Sequence, residues 1–358
     1  MTEPMKPPAG APPAPADLLR ITGGMWAAQT LAGAVEIGLF THLAAIGGAT
    51  AAQLAAGLGL GPRPAEVLLT ACAALGLLHT DGPPLPENSP PATGPRYRNS
   101  PTADAYLVRE RPHYLGDYIL MVRDHTTPGW LRITEALRSD APSRWAPEQQ
   151  DRIFDEENRS TAFWDGLFPL SSLTARALGE AVDLGRTRRL LDVGGGGGAF
   201  AIELCRRFPQ LTTTVYDLPF VCAHTDKRVA AVGLSERIRT HPGDFFAEPE
   251  LPGGHDAVLL SMILHDWDEP RNRRLLAACR RALSPGGLIV ISELLVDDDK
   301  TGPLDAALMS MNMLVGTWGR NYTAAEYGTW LREAGFREVR TVPFDGPGAN
   351  GAVTARKG

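Results

Sequence analysis

Five consecutive glycines, Gly194 to Gly198, separate the stretch Leu190–Val193, apolar but for Asp192, from the apolar-rich stretch that starts at Ala199. Such a run marks a place where one buried element ends, the chain turns tightly and another begins, because side chains there would obstruct the turn or a close approach. The pattern is strand, glycine turn, helix, strand: "LLDVG", then "AFAIELCRRF", then "TTTVYDLP". It continues through a helix near 222–233, "RIRTHPGDFF", "DAVLLSMILHDW", a helix over 270–283, "PGGLIVISELL" and a final unit "EYGTWLREAGFREVRTVPF". Strands alternating with helices predict an α/β class, a doubly wound, mainly parallel, Rossmann-like sheet with helices on both faces.

The chain before about residue 185 reads differently. Apolar residues recur at helical spacing, as in Leu31, Val35, Leu39 and Leu43. Residues 1–16 form a Pro/Ala tail expected to be disordered. Residues 17–110 read as a winged helix-turn-helix: a helix from about Thr50, a turn at Gly59–Pro62, a second helix over Pro64–Ala74 and a wing through Leu78 and Tyr97, with "PPLPENSPPATGP" as wing tip or loop. Residues 111–185 form a helical connecting segment rich in aromatics, and 186–358 the sheet domain. Most of those aromatics belong to the core, with Trp130, Phe163 and Trp164 the candidates for lining a pocket.

Charge bears on the winged helix. From Thr50 to Asp81 the formal charges are Arg63, Glu66 and Asp81, a sum of −1, and the whole chain of 358 residues carries −6. A duplex reader needs cations to displace counterions from phosphates, so nucleic acid is not the expected partner. Glu36 and His42 interrupt the most apolar part of the first sixty residues, which argues against a membrane span, and the N-terminus lacks the pattern of a signal peptide. Cys72, Cys205, Cys222 and Cys279 form no C-x-x-C pair. No disulfide framework or zinc site is expected, and a reduced, cytoplasmic setting is.

Gly194, Gly196 and Ala199 satisfy the G-x-G-x-x-G/A dinucleotide pattern, which alone says little. Asp192, just before the glycines, would repel a pyrophosphate but can accept bonds from an ammonium group, which favours S-adenosylmethionine over NAD. Asp217, twenty-five residues later in "VYDLP", is placed for ribose hydroxyls. Asp244 and Phe245 in "GDFF" offer a carboxylate to an adenine amino group and a ring face to its plane. Turn or helix capping is the plainer role for Asp217 and Asp244, and three acids at three successive strand ends weigh against it.

Taken together, "LLDVGGGGG", "VYDLP", "GDFF", "LSMILHDWDE", "LSPGGLIVISE" and "GRNYTAAEYGTWLREAGF" resemble, in order and spacing, the class I S-adenosylmethionine-dependent small-molecule O-methyltransferases, of the plant caffeic-acid and acetylserotonin type and the bacterial natural-product tailoring type. The resemblance spans about residues 17–355. It implies a homodimer built by the winged-helix region and a small-molecule acceptor, with the hydroxyl of an aromatic secondary metabolite as the methylated group. It also implies cofactor contacts at Gly194, Gly196, Asp217, Leu218, Asp244, Phe245 and Ser261, a catalytic base at His265 and a supporting acid at Glu293.

The chemistry agrees. A phenol is mostly protonated at neutral pH, and an imidazole held by a carboxylate is a suitable base. Asp266 can orient that base or cap the helix that begins near Asp268. Met309, Asn312 and Met313 are candidates for bordering the pocket, with core packing the plainer role for the methionines. Asn321 stands where plant members carry a second acid beside the base, and an amide can orient an imidazole without stabilising its charge. His265 and Asp266 have no third ligand at a fixed spacing, so no metal is expected. The rival readings are N- or C-methylation, a relative that binds the cofactor for a reaction other than methylation, an NAD-dependent oxidoreductase, and a DNA-binding regulator.

Overall fold

The computed structural model describes residues 15–81, 94–154, 161–248 and 250–358. The Pro/Ala tail up to residue 14 and most of the expected wing tip lie outside them. Two compact units divide between Leu120 and Met121.

The first unit is helical. It contains α1 (Ala16–Glu36), α2 (Leu39–Ile46), α3 (Ala51–Leu58), α4 (Pro62–Ala74), α5 (Pro101–Tyr106) and most of α6 (Gly116–Met121), with a small antiparallel pair β1 (Leu78–Asp81) and β2 (Arg96–Asn99). Thr50 starts α3 with a capping box, its hydroxyl accepting from the Gln53 N–H while the Gln53 side chain accepts from the Thr50 N–H. Gly59 ends α3 in the left-handed conformation and Pro62 opens α4. The expected helix-turn-helix and wing are therefore present.

The second unit opens with a five-residue π turn, Val122–Thr126, followed by α7 (Thr127–Trp130), α8 (Ile133–Ser139) and α9 (Thr161–Ala181). Then strands and helices alternate, except that β5 leads to β6 without a helix among the described residues: β3 (Arg189–Val193), α10 (Ala199–Arg207), β4 (Thr212–Asp217), α11 (Pro219–Ala231), β5 (Ile238–Pro242), β6 (His255–Ser261), α12 (Glu269–Ala282) and β7 (Leu283–Glu293). The chain closes with α13 (Leu304–Gly316), α14 (Ala324–Glu333), β8 (Phe336–Gly346) and β9 (Ala349–Lys357). The seven strands lie in the order β5-β4-β3-β6-β7-β9-β8, parallel from β5 to β7, with β9 antiparallel to both β7 and β8.

Alternate residues of the strands serve opposite faces. Leu191, Val258 and Ile289 pack with Leu275 and Cys279 of α12 and Trp330 of α14, whereas Leu190, Leu259 and Val290 pack with Leu178 of α9 and Phe200 of α10. This two-sided burial explains why the strands read as continuous apolar runs. Strand order reverses at β3, so the carboxyl ends of β3 and β6 border the crevice where doubly wound folds hold ligands. Among the described residues no single helix is long and apolar enough to cross a membrane.

Candidate active site

The glycine turn follows β3. Gly194 has φ of +71°, and a β-carbon there would lie 2.4 Å from Cδ1 of Ile263, so the bare backbone lets this loop meet the turn that follows β6. The Gly196 N–H donates to Asp217 Oδ2 (2.8 Å) and the Leu218 N–H to Asp217 Oδ1 (2.7 Å). Asp217 thus braces the loop as a turn acid does, and each oxygen keeps a further accepting lone pair for a ligand hydroxyl. Asp192 is buried, and its Oδ2 has no hydrogen-bond partner among the described residues. Burial, then the charge of Asp217, pushes the Asp192 carboxyl up to about 7. Burial pushes Asp217 up to about 6 against the pull of the Gly196 and Leu218 N–H groups.

Asp244 Oδ1 accepts from the Phe246 N–H (2.8 Å), fixing the turn after β5, while the residue stays exposed. Phe245 meets Phe246 and Trp267 edge-on at 4.7 and 6.0 Å. Ser261 ends β6 with a buried hydroxyl that has no hydrogen-bond partner among the described residues.

These groups fit S-adenosylmethionine. The lone buried acceptor on Asp192 suits an ammonium, the Asp217 oxygens suit a ribose diol, and Asp244 with Phe245 suits an adenine edge and face.

Beyond β6 the chain turns through Met262, at φ +55°, into a short 3₁₀ turn over Leu264–Asp266. Glu293, the last residue of β7, organises this turn: its Oε1 accepts from the Ile263 and Leu264 N–H groups, both at 3.0 Å. Its Oε2 lies 3.1 Å from Nδ1 of His265, a charge contact off the line of a hydrogen bond. Glu293 is 0% and His265 5% exposed. Burial is the largest single influence on His265 and pulls its pKa down, but Glu293, Asp266 and the Met262 backbone together outweigh it and raise it to about 9. Asp266 Oδ1 is 3.9 Å from Nε2. The helix-cap alternative for Asp266 is overturned: Asp268 caps α12, its Oδ1 accepting from the Arg271 N–H at 2.9 Å.

Asn321 donates from Nδ2 to the Leu294 carbonyl (2.7 Å), so its amide ties the segment before α14 to the end of β7. Trp130 Nε1 donates to Asn312 Oδ1 (3.0 Å), and Asn312 Nδ2 lies 3.8 Å from the Met309 sulfur. Met313 is buried, with its sulfur 3.7 Å from the Thr317 hydroxyl. Phe163 and Trp164 meet edge-on at 5.0 Å, and Trp164 lies against the glycine turn, 3.4 Å from where a Gly196 β-carbon would be.

Two supporting residues escape the sequence reading. Asn272 donates to the Leu264 and Trp267 carbonyls (2.8 and 3.1 Å), holding the turn on either side of His265. The hydroxyl of Tyr327 is fully buried, with Glu293 foremost among the charges acting on it. Their only sequence signal is a polar group on the apolar face of a helix.

Comparison with known proteins places this geometry in a family. Residues 147–337 match the O-methyltransferase domain and residues 19–109 the O-methyltransferase dimerisation domain. The chain belongs to the S-adenosylmethionine-dependent O-methyltransferases. It is 58% identical over 353 residues, 98% of each chain, to the 3-hydroxy-5-methyl-1-naphthoate 3-O-methyltransferase of Streptomyces sahachiroi. It is 33% identical over 340 residues, 93% of this chain and 94% of the relative, to the tetracenomycin polyketide synthesis 8-O-methyl transferase TcmO of Streptomyces glaucescens. Human N-acetylserotonin methyltransferase in complex with S-adenosylmethionine superposes with a TM-score of 0.85 at 30% identity, covering 98% of this chain and 99% of that one. The chain is therefore a methyltransferase with S-adenosylmethionine as cofactor and a small-molecule acceptor.

Proposed function

We propose that this O-methyltransferase acts as a homodimer on a ring hydroxyl of a small aromatic acid of the hydroxynaphthoate kind, with His265 as the base. The observation that carries the reading is the buried His265–Glu293 contact of 3.1 Å beside the glycine turn. The 58% identical relative, named for a hydroxynaphthoate, supports the acceptor class. When bound, the cofactor supplies a methyl group on a sulfonium.

The chain contributes binding, orientation and proton removal. Asp192, Gly194, Gly196, Asp217, Leu218, Asp244, Phe245 and Ser261 hold the cofactor. Glu293 fixes the turn through one oxygen and faces Nδ1 through the other, which leaves Nε2 to take the acceptor's proton. A base raised to about 9 nearly matches a phenol of about 10, so the transfer is close to even in free energy. The same rise leaves only about one imidazole in a hundred neutral at pH 7, so turnover climbs with pH. Trp130, Phe163, Met309, Asn312, Met313 and Asn321 are the proposed acceptor-side residues, and Trp164 borders both the acceptor and, against the glycine turn, the cofactor.

The homodimer is supported by α1, where Leu18, Leu19, Ile21, Met25 and Trp26 are each more than half exposed. Four buried free cysteines support a reducing, cytoplasmic setting. Incubation with cofactor and a hydroxynaphthoate, read by mass and NMR, tests the function: the product gains one CH₂ as an O-methyl group. A methyl on carbon or nitrogen, or no gain, overturns it. Sedimentation tests the dimer, and a monomer at micromolar concentration counts against it.

A further inference from the structure

The first turns of α9 carry Trp164, Asp165 and Phe168 toward the glycine turn and α11. Pro169 lies inside this helix, so the Asp165 carbonyl lacks the amide donor four residues on and the backbone is weakest there. The indole N–H of Trp164 is buried without a hydrogen-bond partner among the described residues, so no polar bond of its own fixes the ring against Gly196.

The residue beside it is heavily engaged. Asp165 Oδ1 accepts from Arg228 Nη2 and lies 3.0 Å from His224 Nε2, both on α11. Arg228 is itself wedged in place. Its guanidinium carbon stands 3.9 Å from the centre of the Phe168 ring, and Nη1 fills the space where a Gly197 β-carbon would lie, at 2.6 Å. Between those two residues of α11, the Thr225 hydroxyl donates to the Gly196 carbonyl at 2.5 Å. Helix α11 therefore holds the glycine turn from one side and the start of α9 from the other.

We propose that Asp165 is a positioning residue for the cofactor: through Arg228 and His224 it seats Trp164 over the glycine turn and completes the wall of the cofactor site. This rests on the placement of the cofactor at Gly196. The latch acts on affinity for cofactor and product, since none of its members belongs to the His265–Glu293 pair. Arg228 is suited to the task because a planar cation can stack on Phe168 and still offer an edge to a carboxylate.

Calorimetric binding of S-adenosylhomocysteine to the full-length protein tests the proposal, with the melting temperature of the cofactor-free protein as control. Asp165→Asn and Trp164→Ala should each weaken binding about tenfold. Asp165→Asn combined with Arg228→Ala should cost little more than either alone, because the residues act as one unit. The melting temperature of Asp165→Asn should stay within a few degrees of wild type, since Asp165 is partly exposed. Unchanged affinity in Asp165→Asn, with weakening in Trp164→Ala, overturns the latch. If neither variant changes affinity the proposal also falls, and the response of Asp217→Ala then shows whether the cofactor placement falls with it.

Discussion

Two buried carboxylate sites flank the same crevice and are built on opposite electrostatics. At the end of β7, Glu293 faces a group that can be positive: one oxygen accepts from two N–H groups, and the other, with no hydrogen bond of its own among the described residues, lies 3.1 Å from the imidazole Nδ1. At the ends of β3 and β4, Asp192 and Asp217 face each other as like charges, and Asp192 keeps an oxygen with no hydrogen-bond partner. The first site finds its counter-charge within the protein, on an imidazole whose raised pKa favours the protonated form. The second is held partly neutral until a cation and hydroxyl groups arrive. A buried acid can therefore serve as scaffold or as receptor, and the neighbour decides which.

Variants can break that contrast at either end. The largest effect is expected for His265→Ala: kcat/KM should fall about 10²- to 10⁴-fold, while S-adenosylhomocysteine affinity measured by calorimetry stays near wild type. Next, Asp217→Ala should weaken cofactor binding about tenfold to a hundredfold with the fold intact by circular dichroism; unchanged binding would remove Asp217 from the receptor.

A smaller effect separates the sites by pH. Carboxyls raised to about 7 and about 6 favour the protonated folded state, so the stability they contribute is present below their unfolded pKa near 4 and is lost as pH rises through about 6 to 7. A cofactor that prefers the charged pair compensates, so the melting-temperature gain on adding S-adenosylhomocysteine should grow from about pH 5 to about pH 8. A gain independent of pH would contradict the receptor reading. The smallest effect belongs to Asn321→Ala, which loses one amide bond to Leu294 and should cost about 1 kcal/mol of stability, read by urea unfolding.

Much of this was legible in the chain itself. The glycine run, the acids at strand ends and the "LHDW" segment each occupy one local stretch, where strand-end position and residue type constrain geometry together. The antiparallel return of β9 between β7 and β8 was less visible, because a hairpin pairing after a helix leaves no periodic mark. The latch was not legible, since Asp165 lies about sixty residues from His224 and Arg228 and each looks like an ordinary surface charge. Asn321, which the sequence sets beside the base, donates from Nδ2 to the Leu294 carbonyl, while its buried Oδ1 has no hydrogen-bond partner among the described residues.

The pairing of Glu293 with His265 is the centre of the account, and the pH dependence of kcat/KM in wild type and Glu293→Gln tests it most directly. The wild-type profile should rise about tenfold per pH unit and level off near 9. In Glu293→Gln the amide oxygen can still accept from Ile263 and Leu264, but the amide nitrogen then faces Nδ1 and favours the tautomer with its proton on Nε2. The rising limb should therefore move to a pH at or below about 6.5, with a lower plateau. Coincident limbs in the two proteins would contradict the account.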